Sequence, residues 1–284
     1  MTGDFPREFA EVFRQLARCI QGFGPYQADA VLTGGLVPVL YRRVLGCSSV
    51  MPPRTTFDLD WTLPAPLLHR EQCLHERMLE LGFNPRRSGS ADFPVVQYVP
   101  SVEAEGASSG IYVEFLTPRR GGKHNRSGKN QGILEVQPGL FAQTDPYLGL
   151  LLVNTLRVSA SEIPELALSD PHVLQLPNPM SFIVQKTLIR PRRGESKRES
   201  DLCHIYDVAT LTHECWEKLR AMHKELAECG MFPKGWIPTS RRPCKNYLRR
   251  RHRRARWRFP GIILEWCRRT MRCRRWPRSL PTVG

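Results

Sequence analysis

Two aspartates two residues apart, Asp58 and Asp60, sit in the run Phe57-Asp58-Leu59-Asp60-Trp61, where acidic and apolar residues alternate. In an extended strand, residues i and i+2 project from the same face. The alternation therefore predicts a strand whose apolar face packs in a core and whose other face carries two carboxylates. Such a pair suits a hard divalent cation, Mg2+ or Mn2+, because these ions take oxygen ligands and leave room for phosphate oxygens. A third acid, Glu114, stands alone in Ile111-Tyr112-Val113-Glu114-Phe115-Leu116. A lone carboxylate in an apolar strand is costly unless it is paired or ligates something, so a salt bridge and a metal role are both open readings. Gly34-Gly35 follows the short apolar run Ala30-Val31-Leu32 and precedes a helical pattern. Glycine lets backbone approach a phosphate, and a helix N-terminus favours an anion.

The elements that must position these residues follow from periodicity. Phe9, Phe13, Leu16 and Ile20 mark an amphipathic helix over 5–22, and 36–45 reads as a second helix. The spacing predicts a helix over 67–81, stopped at Gly82, and strands over 95–99 and 111–116. Residues 103–110 read as a polar hairpin loop, and 133–158 holds further strand-like pieces. Residues 164–179 are punctuated by proline, and helices are expected over 180–189, 197–211 and 214–229. The expected fold is α+β: an N-terminal mixed sheet with flanking helices over 1–177, a helical part over 178–232, and a linker with an Arg-rich tail over 233–284.

Composition sets the partners. The 284-residue chain has a formal net charge of +15. From Arg241 onward there are 16 basic residues and one acid, Glu265, whereas residues 1–240 hold 26 basic and 26 acidic residues. The basicity thus belongs to the tail, which is expected to hold little stable structure. Two readings of it stand: an electrostatic arm for nucleic acid or an acidic membrane surface, or the out-of-register translation of a GC-rich gene. The basic loop Arg119, Arg120, Lys123, Arg126 and Lys129 reads as a clamp for triphosphate or RNA, or as a solvated hairpin tip. No run of about 18 apolar residues predicts a membrane span. The N-terminus lacks a signal-peptide pattern, and nine scattered cysteines without a CxxC pair suit free thiols in the cytoplasm. No zinc spacing and no GxSxG elbow occur.

Taken together, a strand, Gly34-Gly35, a helix, Thr56-x-Asp58-x-Asp60 and a later strand acid resemble the polymerase-beta-like nucleotidyltransferase superfamily. The C-terminal segment narrows the likeness. Lys186 in a helix, followed by Arg193, Lys197, Asp201 and Asp207, is similar to the nucleotidyltransferase toxins of type IV toxin–antitoxin systems. So is Glu114-Phe115-Leu116-Thr117-Pro118. The resemblance spans about residues 5–230, and it departs from the family in the Gly34-Gly35 turn, where Ser is usual, and in an extra loop, Cys47 to Pro53. It implies transfer of a nucleotide from an NTP to an acceptor, tRNA or another RNA among the candidates, with a cognate antitoxin as partner. Asp58, Asp60 and Glu114 would hold Mg2+ or Mn2+; Gly34, Gly35, Thr56, Lys186, Lys197 and Asp201 would form the nucleotide site. A fold that has lost turnover and serves as a nucleotide- or protein-binding module is the alternative.

Overall fold

The structure is a computed structural model that describes residues 8–45, 56, 58–90, 93–101, 110–119, 132–169, 171–212 and positions 221, 222, 224, 225 and 228. The Cys47–Pro53 insertion, the hairpin loop at 102–109, the basic loop positions 120–131 and the tail lie outside these residues. Most of the helix expected over 214–229 does as well.

Helix α1 (Glu8–Phe23) repeats apolar residues at helical spacing, and Phe9, Phe13, Leu16 and Ile20 are all buried, as their periodicity predicts. Strand β1 (Val31–Thr33) runs through a 3-10 turn, Gly34–Leu36, into α2 (Val37–Val44). Strand β2 (Asp58–Thr62) follows, then α3 (Leu74–Glu80), β3 (Phe83–Ser90), β4 (Phe93–Pro100) and β5 (Tyr112–Pro118). Strands β6 (Ile133–Gln137) and β7 (Leu140–Asp145) form a hairpin, and β8 (Leu156–Ser159) and β9 (Val173–Leu176) another antiparallel pair. Helices α4 (Pro179–Ile189) and α5 (Glu195–Leu211) close the described fold. None of the described helices is long and apolar enough to cross a membrane.

These strands form one mixed sheet in the order β3-β4-β5-β2-β1-β9-β8. Strands β2 and β5 run parallel at its centre, and β1 pairs with β2 antiparallel. The other edge of β5 is shared: β4 pairs at Val113 and Glu114, and β7 takes over from Leu116 to Pro118. One face of the sheet is apolar. Leu59, Trp61, Val113, Phe115 and Tyr98 are buried there, with Phe23 of α1 set edge-on against Trp61 at 4.7 Å between ring centroids. The α+β expectation therefore holds, with helices α4 and α5 following the sheet as a C-terminal pair.

Three local expectations are corrected. The helix expected over 67–81 begins only at Leu74. Ahead of it, the Leu67 amide donates to the Val136 carbonyl (3.1 Å) and the Arg70 amide to the Tyr26 hydroxyl (3.0 Å), so these donors leave no i−4 ladder. Cys73 then caps the helix, its amide donating to Glu76 Oε2 at 3.1 Å. Strand β3 was not expected, because Asn84-Pro85-Arg86-Arg87 carries no apolar alternation; it is an edge strand whose residues 84–87 are exposed, where proline is tolerated. Strand β9 lies inside the proline-punctuated segment and is buried between β1 and β8.

Phe115 packs between Phe23 and Tyr98, with centroids at 6.1 and 5.4 Å. Phe115→Ala is expected to lower the urea-unfolding free energy by about 3–5 kcal/mol. Leu68→Ala, at a position 64% exposed, is expected to change it by no more than about 0.5 kcal/mol. Equal effects of the two would contradict the assignment of this face as the core.

Candidate active site

The pleat of β2 sends Leu59 and Trp61 into the core and leaves Asp58 and Asp60 on the opposite face. The parallel register sets Asp58 beside Tyr112 and Asp60 beside Glu114. Adjacent strands lie about 4.8 Å apart, so three carboxylates share one small patch. Among the described residues, Glu114 forms no salt bridge of the kind that a lone strand acid invites. Both of its oxygens accept hydrogen bonds from neutral amides: Gln97 Nε2 of β4 at 2.7 Å and Gln143 Nε2 of β7 at 3.2 Å. The switch of partner along β5 is what brings amides from two different strands to one carboxylate. Thr56 Oγ1 donates to Asp58 Oδ1, and Thr33 Oγ1 donates to the Asp60 carbonyl at 3.2 Å.

The crowding shows in the proton affinities. Asp60 is pushed up to about 8, by burial first and then by the charges of Asp58 and Glu114, with Lys186 and Arg193 opposing. Burial also raises Glu114, again with a contribution from Asp58, while the Gln97 bond and Lys197 work against it. Tyr112 is raised to about 12 by burial and by all three acids, so its hydroxyl stays protonated at neutral pH. Carboxylate oxygens are the hard donors that Mg2+ and Mn2+ take. Among the described residues, no three His, Cys, Asp or Glu side chains are already closed around one point.

Gly34 adopts φ +78°, and a Cβ there would collide with Asp60 Oδ2. A Cβ on Gly35 would lie 3.1 Å from Thr56 Oγ1 and 3.4 Å from His204 Nε2. The turn therefore lies directly against the acidic patch, which is a steric reason for glycine beyond phosphate approach.

Helices α4 and α5 supply cations. Lys186 is buried, its Nζ 3.0 Å from Asp201 Oδ1 and 5.5 Å from the centroid of the Phe182 ring. Arg193, between the two helices, places Nη1 3.5 Å from Asp201 Oδ1 and Nη2 3.1 Å from Asp145 Oδ2. Asp201 is only 1% exposed and faces Lys186 and Arg193. Lys197 is exposed and acts on Glu114. The structure thus brings Gly34, Gly35, Thr56, Asp58, Asp60 and Glu114 to one patch with Lys186, and places Asp201 behind Lys186. Tyr112 and Asp145 are absent from the sequence reading. Tyr112 had a signal, being two residues before Glu114 on the same strand face. Asp145 had none, since its partner lies 48 residues away.

Gly34→Ala is expected to destabilise the fold by about 1–2 kcal/mol from the positive φ alone, read by urea unfolding, with more from the displaced Asp60. Unchanged stability would mean that the turn does not abut Asp60.

No curated protein and no solved structure is similar enough to match the chain. A family model described as nucleotidyltransferase matches residues 11–228, a span that holds the Gly34-Gly35 turn, all three acids, Lys186 and Asp201. The chain belongs to this nucleotidyltransferase family.

Proposed function

We propose that this chain transfers a nucleotide from an NTP to an acceptor hydroxyl in a Mg2+- or Mn2+-dependent reaction. The observation that carries the proposal is the patch itself: Asp60 beside Glu114, raised by burial and by neighbouring acids, and faced by Lys186 and Arg193. Asp58 and Asp60 would hold the ion, which would neutralise phosphate charge when bound. Gly34 and Gly35 leave room for the triphosphate against their backbone, ahead of the α2 N-terminus. Lys186 holds a phosphate oxygen, with Asp201 fixing its ammonium, and exposed Lys197 adds a second positive charge near Glu114. Thr56 orients Asp58. The acceptor oxygen bonds to the α-phosphorus as the bond to the β-phosphate breaks, and pyrophosphate leaves. Glu114, whose proton affinity is raised, takes the hydroxyl proton. Because Lys186 follows residue 177, the proposed site draws on both sides of that boundary.

The likeness of the Lys186–Asp207 segment to toxin nucleotidyltransferases makes RNA, and tRNA first, the acceptor class to test. A small DNA-binding antitoxin encoded next to the gene would fit the same reading.

With α-32P-labelled NTP, Mg2+ and RNA or protein acceptors, wild type is expected to yield labelled product. Asp58→Ala and Asp60→Ala should each lower the rate by about 100-fold or more. Transfer undiminished in both variants would refute the mechanism. NTP binding with no product on any acceptor would favour a binding module instead.

The raised Asp60 carboxyl has a second consequence. The folded state keeps its proton up to about pH 8, whereas the ordinary aspartate value is 3.8. Across that window the folded state binds the extra proton, so stability falls as pH rises from about 4 to about 8. Without divalent ions, Asp60→Asn should raise Tm at pH 8 by about 2 °C or more, the gain vanishing below about pH 4. Added Mg2+ should raise Tm in wild type more than in the variant. A variant less stable than wild type at pH 8 would contradict the crowding.

A further inference from the structure

The two cations over the acidic patch contend for one carboxylate. Asp201 Oδ1 receives Lys186 Nζ at 3.0 Å and Arg193 Nη1 at the longer 3.5 Å, while Asp201 Oδ2 is buried with no hydrogen-bond partner. What holds Arg193 off Asp201 is Asp145, at the end of β7, through the shorter 3.1 Å contact to Nη2. Asp145 is fixed in turn: it sits opposite Pro118 in the β5–β7 ladder, and its carbonyl accepts the Arg119 amide at 3.3 Å. The strand that carries Glu114 is thereby linked, through Asp145 and Arg193, to the corner between α4 and α5. A guanidinium has five donors in a fixed plane, so contacts to two carboxylates leave others for a ligand. Arg193 is also a quarter exposed and near enough to act on Asp60.

We propose that Asp145 is a positioning residue for NTP binding: it holds Arg193 as a second phosphate-facing cation and keeps Asp201 for Lys186. This rests on the nucleotide-site reading above. The opposing effects on binding have opposite signs, which makes the idea decidable. Asp145→Asn removes a negative charge from a site that takes an anion, so a simple field effect would tighten NTP binding. Loss of positioning lets Arg193 slide onto Asp201, displaces Lys186 and weakens binding instead.

The test is calorimetric titration of the full chain with Mg2+ and whichever of the four common NTPs binds wild type tightest. Asp145→Asn should weaken Kd by roughly fivefold or more, and Asp145→Glu should recover most of the loss. Arg193→Gln should weaken it comparably, and the double variant should bind no more weakly than Arg193→Gln alone. Binding by Asp145→Asn that is unchanged or tighter overturns the proposal, as do losses that multiply in the double variant. Should Asp145→Asn fail to fold, Arg193→Lys serves in its place: it keeps the charge but lacks a fork to span two carboxylates, so wild-type affinity there overturns the proposal. Wild type that binds none of the four NTPs overturns the nucleotide-site reading, and this inference with it. A wild type that binds while its Asp145→Asn variant binds equally well overturns this inference alone.

Discussion

Repulsion among Asp58, Asp60 and Glu114 is the constraint around which the rest of the molecule is arranged. Two adjacent parallel strands put these acids on one face, and burial makes the charges of Asp60 and Glu114 more costly there than in water. The surroundings answer in three ways. Neutral amides from Gln97 and Gln143 hold Glu114 without neutralising it. A threonine hydroxyl fixes Asp58. The cations Lys186 and Arg193 stand opposite, but their direct contacts are to Asp201 and Asp145. Among the described residues, charge is thus balanced across the patch and not within ion pairs at the acids themselves. In the proposed reaction the acids would keep oxygen lone pairs for a metal and the cations donors for phosphate.

The opposite sheet face makes this sustainable. Leu59 and Trp61 alternate with the two aspartates along β2, and Val113 and Phe115 flank Glu114 along β5. Asp60 and Glu114 are therefore bracketed, and Asp58 is followed, by residues anchored in one aromatic-rich core against α1. A shift of register by one residue would bury the acids and expose the aromatics, so the apolar face fixes the geometry of the polar one. Gly34 adds a steric lock, since any larger residue would push on Asp60.

Which parts of this were readable in the chain depends on how local the information is. The Asp58/Asp60 face, the α1 stripe and the isolation of Glu114 are patterns within a few residues, and each is where the periodicity places it. The helical segments expected over 180–189 and 197–211 similarly fall on α4 and α5. Strand β3 escaped because its polar Asn84-Pro85-Arg86-Arg87 run suits an exposed edge and no core. Strand β9 escaped because Val173-Leu174-Gln175-Leu176 is short and set among prolines; only pairing with β1 and β8 makes it a strand. The first half of the expected 67–81 helix gave way to bonds with Tyr26 and Val136, and the burial of Asp201 depends on Lys186 in another helix. These are outcomes of tertiary contact, which no local window contains.

The claim that these acids crowd one another is open to direct measurement. Carboxyl 13C chemical shifts of Asp60, followed against pH in metal-free protein, should titrate with a midpoint near 8 and move to lower pH when Mg2+ is added. A midpoint near the ordinary aspartate value of 3.8, unmoved by Mg2+, would contradict the account.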